Sequence, residues 1–146
     1  MRVAPVSKTV QSQLLAEARR VPEPKGAVLF RRDEPAFGIF LVRKGSISLR
    51  LESEEGKAIL DRTVTRDSIV GLPATLSRGR YSLTAETLEE SELAFVDRLA
   101  LIGLIKGDPS IGLELIRALG EELLQMRRIL AQHPRRSKAS ITPVRV

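Results

Sequence analysis

The chain has 146 residues, 42% hydrophobic and 29% charged, with 24 basic against 18 acidic side chains, one histidine and no cysteine. That suits one compact domain of about 100–150 residues and leaves no basis for disulfides, thiolate metal sites, a histidine-built zinc cluster or a serine–histidine triad. No apolar run approaches the ~20 residues a membrane-spanning helix needs, and the start lacks a signal peptide's charged-then-apolar plan; the expectation is a cytoplasmic protein that is not an enzyme and holds no metal.

In chain order, residues 7–20 read as a helix. Ser7 suits an N-cap, Val10, Leu14, Leu15 and Ala18 share one face, and Arg19 and Arg20 suit the negative C-terminal end of the dipole. Pro22 and Pro24 then turn the chain. Residues 25–96 change to short apolar or alternating runs with turn punctuation. Val28-Leu29-Phe30 is the first of these. Ile39 to Val42 continues through Gly45 into Ile47, Leu49 and Leu51, whose spacing of two marks a half-buried strand. Glu54-Glu55-Gly56-Lys57 predicts a hairpin turn before a strand over 58–64, and further strands fit 83–87 and 92–96. Several short strands with regular turns predict a β-sandwich or a roll closed on itself.

The helical period returns over 98–131. A short helix over 98–106 is broken by Gly107-Asp108-Pro109, and Ser110 suits the cap of a longer helix from 111 to about 131. Ile116, Leu119, Leu123, Met126 and Leu130 fall at steps of three and four, a heptad seam fit for lengthwise packing. Leu113, Leu115, Leu124 and Ile129 add apolar positions off that seam. The helix therefore has one face for its own domain and one for a second chain, and a homodimer is the expected assembly. The first 132 residues form the domain. Residues 133–146 form a basic tail expected to be flexible, with Arg135, Arg136, Lys138, Arg145 and no acid. Four of the six net positive charges sit there, so the excess reads as a property of the tail and not of a binding face.

The ordered series Gly26-x-x-Leu29-Phe30, Pro35-Ala36, Gly38-Ile39-Phe40-x-Val42-x-x-Gly45-x-Ile47, Glu54-Glu55-Gly56-Lys57, Asp67, Gly71 and Tyr81-Ser82 resembles the cyclic-nucleotide-binding domain. The likeness is to the sensor half of the bacterial catabolite activator and fumarate–nitrate regulator superfamily, and it runs from about residue 7 to 131. It implies an α+β fold: an antiparallel, jelly-roll-like β-roll with an N-terminal helix and two C-terminal helices, the last one long. It also implies a ligand site at Gly71, Leu72, Pro73, Tyr81, Ser82 and Leu83, with Met126 and Arg127 on the long helix facing a nucleobase. In that family an acid after the glycine takes the ribose hydroxyl. An arginine grips the cyclic phosphate, because a planar guanidinium donates paired hydrogen bonds.

Both decisive positions depart from the family pattern. Leu72 replaces the acid, Pro73 removes an amide donor, and Tyr81 replaces the arginine, leaving only Ser82 of the pair. Asp33 and Arg66 stand where the family has turn glycines. Arg80 is a candidate anion contact, but alternation along an extended segment turns it away from the side Tyr81 faces. Tyr81 either stacks on a planar ligand or closes an apolar pocket, the second being preferred. The acidic runs Glu52, Glu54, Glu55 and Glu89, Glu90, Glu92 lie beside turns and read as exposed. Family transcription factors add a helix-turn-helix after the long helix. Here fourteen residues with Pro134 and Pro143 follow it, so sequence-specific DNA binding by this chain alone is not expected. Two functions compete. The preferred one is a dimeric regulatory sensor whose ligand is a cyclic nucleotide or other small anion different from cyclic AMP, or which binds cyclic AMP only weakly. The other is an interaction module whose pocket is filled by its own side chains.

Overall fold

A computed structural model describes residues 2–131 and gives two four-stranded antiparallel sheets flanked by helices; the basic tail lies outside the described residues. Helix α1 (Lys8–Ala16) starts where Ser7 caps it, its hydroxyl accepting from the Val10 amide at 3.3 Å. The helix ends earlier than its apolar period suggests. Arg19 and Arg20, expected at its end, open strand β1 (Arg19–Glu23), which pairs with β8 (Ser91–Asp97) along its whole length. Tertiary pairing outweighs local propensity here. The Arg19 guanidinium sits 5.3 Å from the centre of the Phe95 ring, and Arg20 forms an ion pair with Glu92. Pro22 is tolerated because β1 is an edge strand, with one side free of ladder bonds.

Strands β2 (Val28–Phe30), β3 (Gly38–Lys44), β4 (Ile47–Glu52), β5 (Ala58–Val64), β6 (Ile69–Val70) and β7 (Thr84–Thr87) complete the roll. One sheet runs β1-β8-β3-β6 and the other β2-β7-β4-β5. Gly38 to Val42 is buried throughout. The inner face of β3 meets the core, and its outer face lies under α3 (Arg98–Gly107), so the strand reads as a continuous apolar run. Strand β5 alternates instead, with Leu60, Arg62 and Val64 inward. Gly45 sits at φ +95° in the β3–β4 turn, where a Cβ would meet the Ser91 hydroxyl at 2.1 Å, so only glycine fits.

Between β6 and β7 lies the short helix α2 (Leu72–Ser77). Asp97 caps α3 through the Ala100 amide at 2.9 Å. The long helix α4 (Pro109–Ala131) begins two residues before its expected start. Its first turn is held by Asp108, which accepts from the Ser110 amide at 3.1 Å and hydroxyl at 2.6 Å, so Asp108 and not Ser110 is the capping side chain. Proline is favoured at a first helical position, since its missing N–H would have no partner there. Ile111, Leu115 and Ala118 bury one face of α4 in the core. Glu114 accepts from the Ser7 amide at 2.6 Å and hydroxyl at 2.9 Å, joining the start of α1 to α4.

Candidate functional site

Gly71 takes a left-handed conformation (φ +87°) at the entry to α2, and a Cβ there would meet the Tyr81 ring at 2.9 Å and the Gly38 carbonyl at 3.2 Å. The close approach exists because Tyr81 turns inward. Its ring is 1% exposed and stacks on Phe30 with centroids 3.7 Å apart and planes 14° from parallel. Phe37 meets it edge-on at 5.5 Å. The hydroxyl donates to the Gly38 carbonyl at 2.7 Å and accepts from the Phe37 and Gly38 amides at 3.2 Å. Burial pushes the Tyr81 phenol above its ordinary pKa, so at neutral pH it is an uncharged donor.

Gly71, Pro73, Tyr81, Ser82 and Leu83 surround a single cavity of about 40 Å³, together with Phe30 and Glu122. Leu72 is fully buried and packs into the core. Arg127 is exposed on α4 and does not line the cavity, and the Met126 side chain lies outside the described residues. Arg80 is exposed, and its guanidinium donates to the Asp33 carbonyl at 2.7 Å, away from the cavity. Asp33 holds the left-handed turn (φ +71°) that the family gives to glycine; at the second such turn the left-handed residue is Asp67 (φ +70°), next to Arg66. Aspartate tolerates this region better than most side chains.

Of three polar residues that the sequence reading missed, Glu122 lines the cavity, Arg62 is paired with it, and Gln125 lies one turn further along α4. Arg62 on β5 has a side chain 3% exposed and pairs at 3.1 Å with Glu122 on α4, itself 14% exposed. Arg62 Nε and Nη1, Glu122 Oε2 and Gln125 Oε1 are buried without a hydrogen-bond partner among the described residues. Burial raises the Glu122 carboxyl above its ordinary value, and the attraction of Arg62 only partly offsets this. The signal was present in the pattern. Arg62 occupies the apolar phase of an alternating strand, and Glu122 continues the inward row of Ile111, Leu115 and Ala118. An opposite charge in the buried phase of each of two elements points to a cross-pair.

The outer face of α4 carries exposed Leu113, Ile116, Leu123 and Leu124, at 66%, 63%, 63% and 53%. Leu119, assigned to the seam from its spacing, turns instead toward the core; the side chains of Met126 and Leu130 lie outside the described residues. Among the described residues no helix is long and apolar enough to cross a membrane.

Residues 20–108 match the family profile described as the cyclic nucleotide-binding domain. Among curated proteins, the HTH-type transcriptional regulator Cmr of Mycobacterium tuberculosis is 32% identical over 98 residues, covering 66% of this chain and 40% of that protein. The chain spans between 7% and 40% of the length of the curated relatives it matches. In structure, the catabolite activator protein of Thermus thermophilus superposes with a TM-score of 0.77 at 20% identity, over 88% of this chain and 60% of that one. The c-di-GMP responsive global regulator CLP of Xanthomonas campestris gives 0.74 at 21% identity, over 86% and 64%. The structural likeness establishes the roll, and the profile spans more than half of the sequence: this chain is a member of the cyclic nucleotide-binding domain family.

Proposed function

We propose that this domain is a non-catalytic regulatory module in which its own side chains occupy the space where a cyclic nucleotide would sit, and that it acts as a homodimer through α4. The observation that carries this reading is Tyr81, stacked on Phe30 and bonded to Gly38 at the position where the family pattern has arginine. About 40 Å³ remains, against about 300–1,000 Å³ for ordinary small-molecule sites. Neither arginine among the family-position candidates offers a guanidinium to a phosphate there, since Arg80 and Arg127 are both exposed and outside the lining, and the buried Arg62 is already paired with Glu122. A phosphate buried without such a partner would be an uncompensated charge, costing several kcal/mol.

A sensor for a different ligand is the second reading, favoured by the unpartnered atoms of Arg62, Glu122 and Gln125. Together they offer both donors and acceptors to a polar guest. Calorimetric titration with cyclic AMP, cyclic GMP and cyclic di-GMP separates the two. The filled-pocket reading expects no saturable heat up to about 1 mM of any of them. Micromolar binding of cyclic AMP overturns it. Binding of a guanine nucleotide alone, abolished in Glu122→Gln, replaces it with the second reading.

A further inference from the structure

On the β1-β8-β3-β6 sheet, four cations from three separate segments converge on one recess of about 400 Å³: Arg20 from β1, Arg43 and Lys44 from the end of β3, and Arg66 from the turn before β6. A single carboxylate, Glu92, lines it with them, and that carboxylate is engaged by Arg20. Arg43 is half-buried, and neither it nor Lys44 makes an ion pair among the described residues. Arg66 reaches only the Asp67 carboxylate, at 3.9 Å. Leu15, Leu93 and Ala94 form an apolar floor. The recess shares no lining residue with the cavity beneath Gly71.

Gathering four like charges against two carboxylates costs free energy, and a low-dielectric floor sharpens the field of the two cations left unpaired among the described residues, Arg43 and Lys44. A guest with two or more negative charges relieves that repulsion. Guanidinium forks match phosphate oxygens in pairs, whereas the ammonium of Lys44 acts as a point charge. The volume lies within the range of small-molecule sites, and the adjoining recess that shares Arg20 and Lys44 is lined by the acids Glu23 and Glu90, which would repel the continuation of an extended acidic chain. We propose that this recess binds a small, soluble, phosphate-bearing anion, independently of the family pocket.

The test follows amide resonances of the full chain during titration with inorganic pyrophosphate, at a constant ionic strength of about 0.15 M to screen diffuse attraction. Expected are saturable shifts confined to residues 15–20, 43–44, 66 and 92–94. Affinity should fall at least about tenfold in the double variant Arg43→Gln, Lys44→Gln, with its spectrum otherwise retained. The control pair Lys25→Gln, Lys57→Gln, exposed residues outside this recess, should leave the affinity unchanged. Non-saturating shifts spread over the surface or concentrated in residues 133–146 overturn the proposal. So do equal losses in both double variants, and so does tighter binding of a hexaglutamate peptide than of pyrophosphate, which would assign the recess to an acidic protein segment.

Discussion

Tyr81 closes three backbone groups with one oxygen at the point where β3 begins, and its ring fills the space beside Phe30. Its two jobs separate in Tyr81→Phe, which keeps the stack and removes the hydroxyl. The Gly38 carbonyl retains the Thr75 hydroxyl at 2.9 Å, while the Phe37 and Gly38 amides lose an acceptor. Leaving buried donors unpaired costs about 1–3 kcal/mol, so the unfolding free energy should drop by that amount, read as a lower urea midpoint at an unchanged slope. A midpoint equal to wild type would show that the hydroxyl contributes nothing net. The raised phenol pKa places any alkaline loss well above neutrality: its contribution is fully present below the unfolded tyrosine value and lost as pH rises through the folded one. That Leu72 and Tyr81 depart from the family pattern was legible in the sequence, because ordered glycines set the register. That Tyr81 closes a pocket was the preferred reading, but its stacking partner was not legible, because Phe30 lies fifty-one residues earlier and is brought there by the roll.

Between elements, the Arg62–Glu122 pair ties β5 to α4, with Glu122 lining the cavity beneath Gly71. Removing one partner strands the other. Arg62→Leu alone should cost about 3–5 kcal/mol, whereas Arg62→Leu with Glu122→Leu should return close to wild type or exceed it, since apolar replacement of a buried pair is often neutral or stabilising. Additive losses in that cycle would mean that the two side chains act separately. The pH dependence has a definite sign. The Glu122 carboxyl is raised, so its contribution is fully present below the unfolded glutamate value and lost as pH rises through the folded one. Relative to Glu122→Gln, wild type should gain stability as pH falls from 7 toward about 4.3, read from urea midpoints; a parallel pair of curves refutes it. Most of the strands, and the break before α4, could be read from period and punctuation. Strand β1 could not, because Arg19 and Arg20 extend a helical period, Pro22 and Pro24 read as a turn, and only pairing with β8 makes 19–23 a strand. Nor could the basic recess, since its cations span forty-seven positions and meet only in the folded chain.

For the molecule as a whole, the proposed homodimer rests on the outer face of α4. Leu113, Ile116 and Leu123 fall at steps of three and seven and are all exposed, with Leu124 beside them, and Gly120 completes the stripe with open space above it. A continuous apolar stripe on a 23-residue helix is the geometry of a lengthwise pair, each copy covering the same patch of the other. Because these side chains lie outside the core, Ile116→Glu with Leu123→Glu changes little within one chain; surface substitutions usually stay within about 0.5 kcal/mol, and glutamate is a good helix former. The wild type should sediment at twice the chain mass and the double variant at the chain mass. Mass action supplies a second readout: the melting temperature of a dimer rises with protein concentration, while that of the variant stays constant. A wild type that sediments as a monomer, with a concentration-independent melting temperature, removes the dimer from the proposed function and leaves the stripe free for a different partner.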